Sequence, residues 1–429
     1  MHPLYRFAYL GAGQLARAGS AVSGLLRAPG GKLVRGLRAR AGLRPIYAAW
    51  GTLHRDASRP LLWLHAPSVG EGLQARPVLE IVRSELPDTQ LAYTYFSPSA
   101  ERFAGSLAVD FRQMLPFDTP GDVESVLSAL RPTALVYSKL DVWPLLTERA
   151  SVRGVRLGLI SATVAPRSSR LSHIGRSLLR EAYARIDAVG AVDAVDAERL
   201  VEIGARRDAI MVTGDTRYDQ VWRRVEHTDR KGALLAPLAS ARPTLVAGST
   251  WPADEKPLLG AWRALRTRGA RLIIAPHEPT ERALVAVEQW GAASGLRLAR
   301  LGAAEADTAD VVLVDRVGVL GDLYALADVA YVGGGFHRAG LHSVIEPAAF
   351  GVPVLFGPRN GSSRDAALLL SAEGAAAVRT QGEIVARLDE WLGNGSSRDE
   401  AGRRARTVVR AGLGATARSF ALVRRLLRD

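Results

Sequence analysis

Leu61-Leu-Trp-Leu-His-Ala66 runs straight into Pro67-Ser-Val-Gly-Glu71. The run is short, apolar and closed by turn residues, so it reads as a buried strand, and the Ser-Val-Gly-Glu after it reads as a turn into a helix. A strand that opens into a helix is the repeating step of a parallel α/β sheet, whose ligands sit beyond the carboxyl ends of the strands. Glu71 is therefore a carboxylate where a catalytic base is expected. Ser68 and Glu71 also fit a capping box, in which both side chains only satisfy backbone donors at the helix start. Spacing alone favours the box.

Runs of the same kind recur. They fall at Leu91–Thr94, Phe111–Leu115, Ala134–Ser138, Arg156–Ser161, Asp187–Ala191 and Ala209–Thr213, separated by helix-length segments. A charged, Pro-containing stretch follows Gly214-Asp-Thr-Arg-Tyr-Asp219 and ends near Arg242, after which the runs resume at Thr244–Gly248, Arg271–Ala275, Val311–Val314, Asp328–Val332 and Val352–Phe356. Strands buried on both faces and alternating with helices imply α/β architecture, with two Rossmann-like doubly wound domains facing a cleft. A chain of 429 residues is also too long for one ordinary core. The expected divisions are 1–50, a basic and apolar surface segment; 51–225, the first domain; and 226–429, the second domain with a basic C-terminal helix.

The absence of cysteine excludes disulfides and thiolate metal sites, and permits a cytoplasmic location. The net charge of +13 sits at the two ends. Residues 1–60 hold ten Lys/Arg against the single acid Asp56, residues 398–429 hold nine Arg against three acids, and the middle is close to neutral. A nucleic-acid binder more often lines its working groove with such charge. Charge confined to the ends suits an edge resting on an anionic membrane surface. At the N-terminus Arg6, Arg17 and Arg27 interrupt an apolar segment whose longest uncharged stretch is Phe7–Ala16, half of the ~20 residues needed to span a bilayer. It reads equally as an interfacial amphipathic segment and as a first helix docked on the domain.

The densest cluster of chemistry lies after the strand at Asp328–Val332. Gly333, Gly334 and Gly335 let the backbone approach a ligand, and the helix start that follows offers free N–H groups to a phosphate. His342 is a donor beside that site, and Glu346 can accept from vicinal ribose hydroxyls. His342 and Glu346 lack a third partner at metal-ligand spacing, so no metal is expected. Ser249 and Thr250 end another strand and can donate to a phosphate or carboxylate, or cap the next helix. His277 ends a further strand. In the first domain Lys139 can pair with an anionic group or be an ordinary solvated lysine, and Asp141 sits beside it.

With its motifs assembled, the chain resembles the 3-deoxy-D-manno-octulosonic acid (Kdo) transferases of lipopolysaccharide biosynthesis over roughly residues 60 to 380. The likeness rests on the ordered set His65-Ala-Pro-Ser-Val-Gly-Glu71, Phe96-Ser-Pro-Ser99, Leu115-Pro-Phe-Asp-Thr-Pro120, Asp141-Val-Trp-Pro144, Gly214-Asp-Thr-Arg-Tyr-Asp219, Gly248-Ser-Thr-Trp251, Gly333-Gly-Gly335 and His342-Ser-Val-Ile-Glu-Pro347. It departs from the family's usual pattern at Lys139-Leu-Asp141, at Pro276-His-Glu-Pro279 and at Ser343-Val-Ile345. The resemblance implies a GT-B fold, CMP-Kdo as donor, a lipid A precursor as acceptor, inversion at the anomeric carbon and no cofactor. It implies Glu71 as general base with Asp141 beside it. Ser68 and Lys139 would contact the acceptor or an anion, and Ser249, Thr250, His277, Gly333–Gly335, His342 and Glu346 the donor. It also implies the cytoplasmic face of the inner membrane as the working place. A GT-B transferase or epimerase using a UDP-sugar is the alternative enzyme, and a degenerate scaffold the non-enzyme reading.

Overall fold

The computed structural model describes residues 3–25, 36–265 and 269–428. The apolar runs fold as parallel strands in two separate seven-stranded sheets. In the first unit these are β1 Leu61–His65, β2 Gln90–Tyr95, β3 Phe111–Met114, β4 Ala134–Ser138, β5 Arg156–Ala162, β6 Ala188–Ala191 and β7 Ile210–Val212, in the order β3-β2-β1-β4-β5-β6-β7. Both neighbours of β1 are parallel to it, with His65 opposite Thr94 of β2 and Tyr137 of β4. Every residue of β1, β2 and β4 is buried, as expected of central strands covered on both faces.

The second unit repeats the plan. Its strands are β8 Thr244–Thr250, β9 Arg271–Pro276, β10 Leu298–Arg300, β11 Val311–Leu313, β12 Val329–Val332, β13 Val354–Phe356 and β14 Ala375–Ala377, in the order β10-β11-β9-β8-β12-β13-β14. Two of these, β10 and β14, are absent from the sequence-based reading. Both are three-residue edge strands, and Ala-Ala-Ala and Leu-Ala-Arg lack the β-branched or aromatic residues that mark a strand. The winding reverses between β1 and β4 in the first unit and between β8 and β12 in the second, where β10 also lies outside β11 at the edge. Such switch points open a crevice at the carboxyl ends of the strands.

The division of the chain differs from expectation at its end. The first unit comprises residues 1–219 and 414–429, the second 220–413. The helix Ala415–Arg428, expected with the second domain, buries Leu422, Val423 and Leu426 in the first unit's core. Its start is fixed by Asp219, whose carboxylate accepts from Gly414 N at 2.7 Å and Thr416 N at 2.6 Å, while Arg418 Nε donates to Thr213 O at 2.8 Å. Burial of an apolar stripe on one face of this helix leaves its arginines on the other, which is why the segment looked like a basic tail.

Near the N-terminus, residues Pro3–Leu25 form one helix. Tyr9 donates to Asp118 Oδ2 at 2.7 Å, Arg6 pairs with Glu148 at 2.9 Å, and Leu10 packs on the core. Asp118 also accepts from the N–H groups of Leu145 and Leu146. Burial pushes the Asp118 carboxyl up to about 6, against the pull of those donors. The outward face carries Phe7, 81 % exposed, and Leu15, 76 % exposed. The helix is thus docked on the domain, with these two apolar side chains turned to solvent. Arg27 lies outside the described residues. No helix among the described residues is long and apolar enough to cross a membrane.

Leu426→Ala should cost about 3 kcal/mol, the usual loss for a buried leucine. Urea unfolding followed by hydrogen exchange should place that loss in peptides from 61–212 and leave those from 244–377 unchanged.

Candidate active site

In the first unit Glu71 stands in the first turn of the helix Val69–Glu85, directly after β1. The capping box does not form: Ser68 makes no side-chain cap bond and instead donates its hydroxyl to Glu71 Oε2. Lys139 Nζ lies 3.3 Å from Glu71 Oε1. Burial alone would raise the Glu71 pKa, but the Ser68 hydrogen bond and the Lys139 charge outweigh it and hold the carboxyl below the ordinary glutamate range. Lys139 reaches it from a left-handed backbone, φ 68°. For a residue with a side chain, that conformation costs on the order of 1–3 kcal/mol. Ser249, at the switch point of the other unit, is left-handed too, φ 53°.

Asp141 follows β4 and is the visible end of a buried relay. Trp63 Nε1–H can only donate, so Thr94 Oγ1 accepts it at 2.8 Å. The Thr94 hydroxyl then donates to His65 Nδ1 at 2.9 Å, and His65 Nε2–H donates to Asp141 Oδ2 at 3.0 Å. The opposite tautomer would set a bare nitrogen against a carboxylate. Trp143 Nε1 donates to the same oxygen at 3.0 Å. Burial raises the Asp141 pKa, but His65, Trp143 and the Arg170 charge bring it below the ordinary range.

In the second unit the carboxyl ends of β8, β9 and β12 carry Ser249, His277 and the glycine turn Gly333–Gly335. Asp254, fully buried in the first turn of the helix Pro252–Leu265, organises them. Its carboxylate accepts from Trp251 N at 3.0 Å, Gly334 N at 2.8 Å, Phe336 N at 2.9 Å and Tyr331 OH at 3.3 Å. A methyl group on Gly333 would strike the Ser249 carbonyl, and one on Gly334, φ 92°, the Gly340 carbonyl. The turn thus needs glycine for close backbone packing. The N–H of Gly333 donates to Gly248 O and that of Gly334 to Asp254, which corrects the expectation that these two would face a phosphate. Thr250 is corrected likewise: its hydroxyl is buried and donates to Glu255 Oε1 at 2.9 Å.

Around Trp251 stand three imidazoles. His337 stacks on the indole at 4.1 Å and 6°, His277 at 4.5 Å and 26°, and His342 Nε2 accepts from Trp251 Nε1 at 3.0 Å. Among the described residues no group of three His, Asp or Glu side chains is arranged to hold a metal ion. Glu346 opens the short helix Ile345–Ala349. Burial pushes its carboxyl above the ordinary range, against the Arg224 guanidinium and a hydrogen bond from Ser343.

The sequence pattern of the 3-deoxy-D-manno-octulosonic-acid transferase (kdotransferase) family matches residues 36–220. A 3-deoxy-D-manno-octulosonic acid transferase of Bordetella pertussis is 33 % identical over 346 residues, 77 % of this chain and 79 % of that protein. The chain belongs to the Kdo transferase family. It is a glycosyltransferase by that membership. A Kdo transferase of Haemophilus influenzae is 24 % identical over 85 % of this chain and 86 % of its own. Among solved structures, UDP-GlcNAc 2-epimerase of Neisseria meningitidis is similar with a TM-score of 0.62 and 13 % identity, covering 85 % of this chain and all of that one. That likeness is one of fold, the GT-B arrangement of two Rossmann-like domains.

Within this Kdo transferase the structure brings Ser68, Glu71 and Lys139 together, and gathers Ser249, His277, His342 and Gly333–Gly335 at the other switch point. Five further residues were given no role by the sequence: His65 and Trp251, seen there only as members of motifs, and Arg170, Arg224 and Asp254. Asp254 had a signal, an acid at the third position of a helix opened by Trp251-Pro252, which can reach back to the N–H before the helix. The others meet their partners only through the fold. Asp254→Ala strands three backbone N–H groups, one buried and two partly buried, and should destabilise the second unit by about 3 kcal/mol. Asp254→Asn, which keeps one acceptor, should fall between Ala and wild type in the same urea experiment.

Proposed function

We propose that this Kdo transferase moves Kdo from CMP-Kdo to a lipid A precursor with inversion, using Glu71 as general base. The observation that carries the reading is the Glu71 carboxylate itself, kept ionised by Ser68 and Lys139 at the switch point of the first unit. In the proposed step Glu71 takes the proton of an acceptor hydroxyl as that oxygen bonds to the anomeric carbon, and CMP leaves from the opposite face with the bonding pair. Asp141, immobilised by His65 and Trp143, orients the acceptor. Ser249, His277 and His342 receive the donor's anionic oxygens, where fixed donors stabilise developing negative charge. Glu346 accepts from the ribose hydroxyls. No step requires a metal.

The acceptor is a lipid, so the enzyme is read as a peripheral protein of the inner membrane's cytoplasmic face. Phe7 and Leu15 on the outward face of the first helix would enter the interface, and the basic ends would meet anionic headgroups. A UDP-sugar donor is the competing reading, and would appear as thermal protection by UDP in place of CMP.

Mass spectrometry of the product from CMP-Kdo and a lipid A precursor tests the reaction directly. Wild type should add one or more Kdo units, and a folded Glu71→Ala should be slower by roughly 10²–10⁴-fold, the usual worth of a general base. Equal rates would return Glu71 to a structural role. No product from a folded wild type would dismiss CMP-Kdo as donor. A general base works only when deprotonated, so activity falls as pH drops through the Glu71 pKa. Removing the Lys139 charge raises that pKa, and Lys139→Ala should therefore move the acid limb of the kcat/KM profile to higher pH.

A further inference from the structure

We propose that Trp251 is a positioning residue that fixes His342 as an Nδ1–H donor. Together with His337, held as an Nε2–H donor, it makes a two-donor receptor for the phosphate or carboxylate oxygens of the nucleotide sugar. The inference rests on the donor reading above and names residues which that reading leaves out.

Hydrogen-bond direction carries the argument. An indole Nε1–H donates and never accepts. Because Trp251 Nε1 lies 3.0 Å from His342 Nε2, that nitrogen holds its lone pair toward the indole, and the imidazole proton stands on Nδ1. At His337 the donor is Ala339 N, 3.2 Å from Nδ1, which places the proton on Nε2. Each ring is thus locked by a protein donor on one nitrogen and turns an N–H outward on the other. His342 Nδ1 and His337 Nε2 have no hydrogen-bond partner among the described residues, and both residues are partly exposed. Two fixed donors beside one indole, on the turn after the switch-point strand, call for acceptor oxygens in the ligand.

A histidine cluster that binds an anion ordinarily does so by taking up protons, and its affinity climbs as pH falls. Here protonation of His342 would set two N–H groups against each other. The groups that face His342 act in the same sense: burial, His277 from the end of β9 and His337 from its own turn all hold it below the ordinary imidazole range, opposed only by Asp254 of the helix Pro252–Leu265. His342 therefore serves the receptor as an uncharged donor.

Nitrogen-15 NMR of histidine-labelled full-length protein reads tautomers directly and needs no substrate. Wild type at pH 7.5 should show His342 as Nδ1–H and His337 as Nε2–H. In Trp251→Phe, which keeps a ring for His337 to stack on, His342 should shift toward Nε2–H or become protonatable. Calorimetric CMP binding to that variant should weaken roughly two- to tenfold at pH 8, the worth of one hydrogen bond, and recover at pH 6, while wild type changes little. A wild-type His342 that is Nε2–H or cationic, or a tautomer unmoved by Trp251→Phe, overturns the proposal, as does failure of CMP, UDP and inorganic phosphate alike to shift the two histidines. Shifts with UDP or phosphate but not CMP would sink the CMP-Kdo reading and leave the receptor standing.

Discussion

The Asp254 carboxylate joins two loops that the sequence separates by 80 residues. It lies wholly inside the second unit, yet it is surrounded by donors: three backbone N–H groups and the Tyr331 hydroxyl. A buried charge survives only when its lone pairs are met, and here the groups that meet it belong to the two strand ends flanking the switch point. Loop after β8 and loop after β12 are thereby held at one separation. Gly333 of the second loop follows from this closeness, since a side chain there would collide with the Ser249 carbonyl of the first. So does the place of Trp251, whose own N–H is one of the three, and through it the stack of imidazoles.

The first unit solves the same geometric problem with different chemistry. Its switch-point loops meet through a charge pair, Glu71 with Lys139, backed by the Trp63–Thr94–His65–Asp141 relay in the strands beneath. In the second unit the organising carboxylate is sealed and structural. In the first, Glu71 and Asp141 each retain exposure and a depressed pKa, which keeps them ionised at neutral pH. One switch point is held by a sealed carboxylate and the other carries two ionised ones.

Legibility in the sequence followed the strength of local signals. Central strands such as β1 and β4, buried on both faces, wrote themselves as uninterrupted apolar runs, whereas β10 and β14 at the edges left almost none. Ser249 stood out at the end of a strand, and Glu71 and His342 in the strand-to-helix connections after β1 and β12. His65 was hidden inside its strand and looked like one more core residue; its hydrogen-bond partners come from β2 and from the loop after β4. The fate of Thr250 was equally unreadable, because its partner Glu255 decides between capping and binding only once the helix has turned. Asp254 and Trp251 sat in a motif whose role as a helix start masked their second use.

The return of residues 414–429 to the first unit makes the order of manufacture matter. A chain leaves the ribosome from its N-terminus, so β1 to β7 emerge with one face of their core uncovered. Leu422, Val423 and Leu426 are made after residues 220–413, so the whole second unit is available to fold before they arrive. Domains usually complete themselves in the order of synthesis. Here that order is inverted: the unit begun first is finished last, and the uncovered sheet must be kept from other hydrophobic surfaces throughout translation. The same closure makes the helix Ala415–Arg428 a checkpoint, since a chain truncated before it carries every residue of both candidate sites and still lacks the helix that packs on the first core.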